Sequence, residues 1–393
     1  MKPKPISAWT IAATYVGTVV GAAFASGQEI LQFFGYFGAW GLAGLLVTTA
    51  LLVVFGYLIM DTGRELRARS YRPVIQAAAG PWVGRILDWV ITLFLFGALL
   101  IMSAGSGAFF REHLGLPFVP GSAVMALATW ATVLAGLGGV ITAISLIAPV
   151  LLLSALGLGL YALGLHWPQG TQGFFWAEPA RAPVPFWSLS ALVYTSYNLL
   201  LALAVLAPLG ARAERPNLWK GALGGGLALG AAATAIFLAV MAQGRGGAAK
   251  ELPMLVAAAE AGPLVAWGYG LVLVAEIYTT AVSSLYGFAS RLGAEGGRFR
   301  MVASLATAGG FVLAQFGFSR LVGIVFPAVG YAGIALLVAL TLQNPFWRRL
   351  PDVVFSRRAQ PATKKFSRKV QTEDNDIEEI PKPPSDTDLG GGR

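Results

Sequence analysis

Apolar runs of about twenty residues recur along most of the chain, and short polar segments separate them. A run of this length crosses the hydrocarbon core of a bilayer as one helix. The chain has 393 residues, of which 56% are hydrophobic and 12% charged, whereas soluble domains carry about 25% charged residues. A water-soluble core also stops growing at about 250–300 residues. The sequence therefore predicts an all-α integral membrane protein.

Ten apolar spans can be counted along the chain. They cover residues 8–34, 40–60, 86–110, 121–139, 141–164, 186–209, 218–242, 264–290, 299–317 and 319–343. The longer polar segments lie at 61–85, 165–185 and 243–263. We therefore expect a ten-helix membrane domain over residues 1–343 and a separate tail over residues 344–393.

The distribution of positive charge predicts the orientation of these spans. With the N-terminus in the cytoplasm, thirteen Lys and Arg residues before the tail fall inside and five fall outside. Cytoplasmic loops of membrane proteins carry this excess. The sequence thus predicts a multi-pass protein of the cell membrane with both termini in the cytoplasm. The tail begins with a basic stretch and ends in acidic, Pro- and Gly-rich sequence, which is typical of disorder. Its basic part either contacts anionic lipid or simply follows the last span as a solvated segment.

Several function classes are disfavoured by composition and motifs. The net charge is +9, but the basic residues lie in loops rather than along one helix face, so we expect no nucleic-acid partner. The chain has no cysteine, which removes disulfides and thiolate chemistry. It also lacks a nucleophile elbow, a zinc-protease motif and a phosphate-binding loop. We therefore expect neither an enzyme nor an ATP-driven pump.

A weak internal repeat relates the two halves of the membrane domain. An offset of 178 residues aligns Pro149 with Pro327, and Leu114-Gly115 with Leu292-Gly293. An offset of 179 residues pairs Tyr15 with Tyr194. Repeat one would cover about 8–164 and repeat two about 186–343. Since each holds five spans, the second must lie inverted in the bilayer, an arrangement typical of secondary transporters.

Span one carries an unusual cluster of glycine and polar residues. Gly17, Thr18, Gly21, Ser26, Gly27, Gln28 and Glu29 fall within thirteen residues. Backbone polar groups in hydrocarbon must be satisfied inside the protein, so this cluster predicts an interrupted helix at Gly21–Gly27. The free N–H groups could then bind an anion such as a carboxylate, and the freed carbonyls could bind a cation. The alternative is that the small residues only allow close helix packing.

Span six has a polar cluster at the position symmetric to this interruption. It consists of Tyr194, Thr195, Ser196, Tyr197 and Asn198, which could line a polar pocket whose aromatic rings cover a small solute. Ordinary hydrogen bonding between helices explains any one of these residues equally well. In span three, Ser103 is a small polar residue that could leave room for a solute.

Span eight places a carboxyl group near the middle of the bilayer, where charge is costly and usually functional. At helical spacing Glu276, Thr279, Thr280 and Ser283 share one face. These oxygens could form a cage for a hard cation. Alternatively Glu276 carries a proton, because burial favours the neutral carboxyl, or it only satisfies polar groups within the bundle.

Two stretches of the chain resemble a known family. ATYVGTVVGAAFASGQEILQFFG in span one and AEIYTTAVSSLYGFASRL in span eight resemble the YkvI-type bacterial permeases of the amino acid–polyamine–cation (APC) superfamily. The resemblance covers the ten spans and not the tail. It implies the LeuT-like fold, a 5+5 inverted repeat with helices one and six broken at mid-membrane.

The resemblance also implies roles for individual residues. The carbonyls of Gly17 and Val20 would hold a sodium ion, together with the hydroxyls of Thr279 and Thr280. The unwound strand from Gly21 to Ala23 would meet a substrate carboxylate. Proton-coupled relatives place a lysine on span five, and its absence here favours Na⁺, whereas Glu276 leaves H⁺ open.

The sequence thus predicts a secondary transporter for a small solute, most simply an amino acid, coupled to Na⁺ or H⁺ without other cofactors. The expected substrate-binding residues are Gly21, Ala22, Ala23, Phe24, Ser26, Gly27, Ser103, Tyr194, Thr195, Ser196, Tyr197 and Asn198. The expected ion-coupling residues are Gly17, Val20, Glu276, Thr279, Thr280 and Ser283. The alternatives are a membrane sensor that binds a ligand without transporting it and an ion channel, which would need a continuous polar stripe. The sequence leaves the substrate and the oligomeric state open.

Overall fold

The computed structural model describes residues 6–135, 150, 153–162, 164, 176–293 and 296–343. Within these residues the regular structure is helical. The helices are α1 (Ala8–Val19), α2 (Ala22–Ala25), α3 (Gln28–Phe33), α4 (Ala39–Glu65), α5 (Arg72–Glu112), α6 (Phe118–Ala135), α7 (Leu153–Ala162), α8 (Trp187–Gly210), α9 (Arg215–Ala242), α10 (Gly244–Ala248), α11 (Pro253–Glu260), α12 (Pro263–Gly293), α13 (Gly296–Ala314) and α14 (Phe318–Gln343). Short 3₁₀ helices occur at Gly35–Phe37 and Pro179–Arg181.

Seven helices in the described part of the chain are long and apolar enough to cross a membrane: α4, α5, α6, α8, α9, α12 and α14. They coincide with seven of the ten predicted spans. Span one is divided among α1, α2 and α3, and span nine is the 19-residue α13. Span five lies outside the described residues except at 150, 153–162 and 164. The total of ten therefore stays a prediction, as does the nature of the tail, which also lies outside them.

Two segments predicted as loops are largely helical. The loop expected at 61–85 is short, because α4 runs to Glu65 and α5 already begins at Arg72. Gly80, with φ of 77°, followed by Pro81, kinks α5 near its start. The positive-φ glycine and the proline bend α5 but do not end it. The start of the span, predicted at residue 86, was misplaced for this reason. The loop expected at 243–263 contains the short helices α10 and α11.

The helices approach one another closely at small residues. A Cβ atom added to Gly63 of α4 would lie 2.2 Å from the carbonyl oxygen of Ala207 on α8, and one added to Gly210 would lie 2.0 Å from that of Met60. Association of membrane helices depends on such close backbone packing, because lipid gives no hydrophobic driving force between them. The absence of side chains at these two glycines thus allows α8 and α4 to pack closely.

The packing pairs follow the order expected for a repeat of five spans. Span one packs against span seven (α1 against α9), and span six packs against span two (α8 against α4). If each span number is increased by five and counted cyclically through ten, spans one and seven become spans six and two, which are the second pair. Spans three and eight, α5 and α12, pack against each other across the centre.

The predicted break in span six is wrong. Trp187–Gly210 forms one continuous helix, and its proline, Pro208, lies in the last turn. No glycine or proline occurs between Trp187 and Ala207, so nothing in the backbone forces an interruption. The hydroxyl of Thr195 donates to the Ala191 carbonyl at 2.8 Å, and the Asn198 amide donates to that of Tyr194 at 3.0 Å. Polar side chains are therefore accommodated without unwinding the helix.

Candidate functional site

The first span is interrupted where glycine and polar residues cluster. Helix α1 ends at Val19, and Val20 and Gly21 are extended, with φ/ψ of −70°/119° and −137°/179°. The four-residue helix α2 follows, and a turn at Gly27, with φ of 81°, leads into α3. The interruption begins one residue before the predicted segment and includes one helical turn within it. Only glycine adopts the Gly27 conformation without steric cost.

The interruption leaves backbone groups unpaired on both sides. The carbonyls of Gly17 and Val20 accept no backbone hydrogen bond from the described residues, because the chain leaves the helix one turn later. The N–H groups of Ala22 and Ala23 likewise find no backbone acceptor in this part of the chain. Gly17 is exposed and Gly21 is partly exposed. The segment therefore offers acceptors to a cation and donors to an anion within a few residues of each other.

The far end of the interruption is fixed by neighbouring segments. The N–H of Met254, in the first turn of α11, donates to the carbonyl of Ser26 at 2.9 Å. The hydroxyl of Tyr269 on α12 donates to the carbonyl of Ala25. The Ser26 hydroxyl accepts a hydrogen bond from the Gln28 N–H at 3.2 Å and so caps α3. These contacts anchor the turn at its far end, whereas a Cβ atom at Gly21 would meet no described atom within 4 Å.

Side chains of α8 divide between two roles. The Ser196 hydroxyl reaches the carbonyl of Gly330 on α14 at 2.6 Å, so it joins two helices. Thr195 bonds within its own helix. Tyr194, Tyr197 and Asn198 instead gather at a carboxyl group on α3. Of the five predicted residues on this span, the structure brings three together at one place.

That carboxyl group belongs to Glu29, which the sequence-based assignment of site residues missed. It is 4% exposed, and the hydroxyl of Tyr197 donates to its Oε1. The side chains of Tyr194 and Asn198 lie within interaction range of the same carboxyl. The Tyr194 hydroxyl is buried without a well-formed hydrogen bond to a described residue. The available signal was a carboxyl group inside the predicted span 8–34, where charge is costly.

The remaining predicted substrate residues are buried near the interruption or on α5. Ala22, Ala23, Phe24 and Ser26 are each at most 4% exposed. Ser103 is 1% exposed, and its hydroxyl has no hydrogen-bond partner among the described residues. A buried hydroxyl without a partner costs free energy, so Ser103 is available to bind a polar group of a solute.

The predicted ion-coupling residues on α12 are partly brought together. Glu276 is 5% exposed, and its Oε2 has no hydrogen-bond partner in the described part of the chain. The buried hydroxyl of Thr279 donates to the Glu276 carbonyl at 3.1 Å, and Thr280 is half-buried. Helix α12 packs against α2, so the helix that carries these oxygens lies beside the interruption. Among the described residues no three His, Cys, Asp or Glu side chains form a metal cluster, so a cation here would rely mainly on carbonyls and hydroxyls.

Ser283 is exposed, unlike Glu276 and Thr279 on the same helix. Its hydroxyl donates to the carbonyl of Thr279 at 2.8 Å. At about 100° per residue, Ser283 lies between Glu276 and Thr279 around the helix axis, so it shares their face, and its exposure comes from its position further along α12.

Comparison with known proteins supports the resemblance expected from the sequence. No family model matches the chain. The chain is 29% identical to the uncharacterised membrane protein YkvI of Bacillus subtilis (strain 168) over 353 residues, which cover 89% of this chain and 99% of YkvI. It is also 29% identical to the uncharacterised protein YyaD of the same organism, over 83% of this chain and 94% of YyaD. The predicted resemblance to YkvI is thereby confirmed.

Solved structures with a similar fold include transport proteins. MhsT in complex with L-phenylalanine matches with a TM-score of 0.60 at 16% identity, covering 86% of this chain and 88% of MhsT. Inward-facing Mhp1 matches with a TM-score of 0.55 at 14% identity, over 86% and 79% of the two chains. A Na⁺-coupled sialic acid symporter matches with a TM-score of 0.54 at 13% identity, over 85% and 78%. The chain therefore has the LeuT-like fold.

Proposed function

We propose that this protein is a secondary active transporter that moves a small solute, an amino acid in its simplest form, by cation-coupled alternating access. The observation that carries the proposal is the interruption of the first span. Unpaired carbonyls at Gly17 and Val20 and unpaired N–H groups at Ala22 and Ala23 lie within one short segment. A span that only anchors a protein has no use for such groups, since each costs free energy in hydrocarbon.

The proposal assigns the two kinds of unpaired groups to two ligands. The N–H groups of the Gly21–Ala23 strand would bind the carboxylate of the solute, and Ser103 would accept a further polar contact. The carbonyls of Gly17 and Val20, with Thr279, Thr280 and the free oxygen of Glu276, would bind Na⁺. The fold supports this assignment, because proteins with similar folds include one bound to L-phenylalanine and a Na⁺-coupled sialic acid symporter.

A screen of ligand-dependent thermal stability tests the proposed binding site and ion. The purified protein is heated with a panel of amino acids, with and without Na⁺, at two pH values. We expect at least one solute to raise Tm, and Na⁺ to increase that shift. Loss of the Na⁺ effect in Thr280→Ala would support the Na⁺ site, and loss of a pH effect in Glu276→Gln would favour H⁺ at that residue instead. A panel in which no solute changes Tm would contradict the proposal.

A ligand sensor with the same fold would pass that screen, so flux must separate the two functions. Solute uptake by the purified protein in liposomes is expected of a transporter and not of a sensor. Deletion of residues 344–393 adds a second criterion. We expect the shortened transporter to keep its flux, whereas a sensor that signals through its tail would lose its output.

A further inference from the structure

The cluster around Glu29 has no role in the binding site described above. It lies between α3, which directly follows the interruption, and the continuous helix α8. Glu29 and Tyr197 are separated by 168 residues in sequence, so their meeting is a product of the fold. Glu29, Tyr194, Tyr197 and Asn198 are each at most 4% exposed.

No positive charge compensates the Glu29 carboxyl. Within the described part of the chain, the groups that act on it are the phenols of Tyr194 and Tyr197 and the amide of Asn198. Among the other described elements packed against α3, the adjacent 3₁₀ helix carries the phenol of Tyr36, α9 presents Val240 and Met241 beside Gly27 and Gly35, and α14 presents Gly323 beside Gln32. No cation from these elements acts on the Glu29 carboxyl. Burying an ionised carboxylate with no cation beside it is unfavourable. The neutral form of the carboxyl therefore fits this environment better than the charged form.

Aromatic rings pack around Tyr197, the donor to the carboxyl. The ring of Tyr197 lies 5.4 Å from that of Tyr194 and 5.6 Å from that of Phe33, and it stacks on Phe326 at 5.0 Å. Centroid separations of this size are direct ring contacts. Together with the 4% exposure of Glu29, these contacts separate the carboxyl from bulk water.

We infer that Glu29 is a proton-binding site that couples H⁺ movement to the relative motion of α3 and α8. The inference deepens the proposed function and rests on it for the coupling step. While the carboxyl is neutral, it stays buried against Tyr197 and keeps α3 docked on α8. When α3 moves and water reaches the carboxyl, its O–H bond breaks, the proton passes to water and the carboxylate becomes hydrated. The charged group opposes return to the apolar position until it is protonated again.

Infrared spectroscopy tests the proton site without any solute. Difference spectra of the purified protein in liposomes, between neutral and alkaline buffer, report the C=O stretch of protonated carboxyl groups. We expect a carboxyl band in the wild type that is lost in Glu29→Gln and retained in Glu276→Gln, the matched control at a second buried acid. A carboxyl region that is identical in the wild type and in Glu29→Gln overturns the assignment.

A second variant covers the case in which Glu29→Gln does not fold. Tyr197→Phe keeps the carboxyl and removes only the hydroxyl that donates to it. We expect the band to remain and to shift to higher frequency, because a C=O group that loses a hydrogen bond stiffens. An unshifted band would overturn the proposed contact and with it the assignment.

Transport of a labelled amino acid mixture tests the coupling step. Wild-type liposomes should accumulate label under an imposed pH gradient. Glu29→Gln, which mimics the neutral carboxyl, should still exchange labelled for unlabelled solute but should no longer accumulate it. Accumulation by Glu29→Gln equal to that of the wild type overturns proton coupling at this residue. If the wild type neither exchanges nor accumulates label, the proposed transport function fails, and the infrared result still decides the proton site.

Discussion

Individual residues determine where the first span can unwind. Gly27 adopts a φ of 81°, and a Cβ atom there would lie 2.8 Å from Cγ of Met254. Both the dihedral angle and the contact therefore require glycine. Gly21, by contrast, has an ordinary extended conformation, and a Cβ atom there would meet no described atom within 4 Å. Gly27 is needed for the backbone turn, whereas Gly21 lies beside open space.

A substitution at Gly27 tests this distinction. We expect Gly27→Ala to lower the free energy of unfolding by about 1–3 kcal/mol, since it adds a strained φ and an overpacked contact with Met254. Thermal unfolding of the detergent-purified protein measures the effect. Gly268→Ala is the matched control, because Gly268 lies in α12 with no atom near its missing Cβ. It should leave Tm unchanged or raise it slightly. Equal Tm values for both variants would contradict the constraint at Gly27.

Asp61 is the buried charge at the junction of α4 and α9. Its side chain is 2% exposed, and it accepts hydrogen bonds from Arg215 at 2.8 Å and from Arg64 at 3.3 Å. We expect Asp61→Asn to destabilise the protein by about 1–3 kcal/mol, because two arginine donors lose their charged acceptor. Both arginines are partly exposed, which limits the loss.

Glu65 provides the control for this prediction. It lies 3.9 Å from the same Arg215 but is 44% exposed, and exposed pairs contribute about 0–1 kcal/mol. Glu65→Gln should therefore leave Tm close to that of the wild type. A loss as large as that of Asp61→Asn would show that net charge, and not the buried contact, matters at this junction.

At the scale of elements, the segment between α9 and α12 is anchored to the end of α5. The Glu112 carboxylate accepts hydrogen bonds from the N–H groups of Glu251 and Leu252, at 2.9 and 3.1 Å. Arg111 pairs with Glu251 at 2.9 Å. Since α11 also bonds to Ser26, this anchor connects the end of α5 to the interruption in the first span. The position of α11 thus depends on charges outside the spans.

Glu251 makes that anchor sensitive to pH. Burial raises the pKa of its carboxyl above the usual 4.5, although nearby Arg111 opposes the shift. The folded state therefore binds this proton more tightly than the unfolded state, and the free energy of unfolding falls as pH rises from about 4.5 through the raised pKa. We expect the Tm of Glu251→Gln, relative to that of the wild type, to increase with pH over this range.

A second variant examines the cause of the shift. Arg111→Gln removes the positive charge that opposes the raised pKa, so the loss of stability with rising pH should become steeper than in the wild type. Thermal unfolding at a series of pH values measures both effects. Parallel Tm curves for the wild type and Glu251→Gln would show that this carboxyl does not titrate differently on folding.

The sequence predicted elements well where hydropathy alone defines them. The spans expected at 186–209 and 319–343 are observed as Trp187–Gly210 and Phe318–Gln343, because a bilayer requires long apolar helices whatever their packing. The expected break in span six failed for a physical reason. Polar side chains do not unwind a helix when they can bond to carbonyls one turn back, as Thr195 and Asn198 do. In span one, glycines supply the backbone cause that span six lacks.

The candidate site could be predicted only in part. Local pattern was enough to place the interruption near Gly21, since glycine and polar residues are adjacent in sequence there. The partners of Glu29 could not be predicted, because Tyr197 and Asn198 reach it from a helix 168 residues further along the chain. The Na⁺ or H⁺ ion, the solute and the cytoplasmic location of both termini stay predictions.

At the scale of the whole molecule, the described helices bury polar groups at the centre of a LeuT-like bundle. Glu29, Ser103 and Glu276 are each at most 5% exposed and lie on α3, α5 and α12. Two of these three helices, α5 and α12, pack against each other, and α12 also packs against α2. A structure that served only to anchor the chain would gain nothing from three such groups, each of which opposes insertion into lipid.

Gradient-driven uptake tests the central claim of transport most directly. The purified full-length protein is placed in liposomes, and uptake of a labelled panel of amino acids is followed under imposed Na⁺ and H⁺ gradients, with protein-free liposomes as the control. We expect at least one amino acid to accumulate above its external concentration, and the accumulation to collapse when an ionophore dissipates the driving gradient. Uptake that never exceeds that of protein-free liposomes, for any solute under either gradient, would contradict the claim.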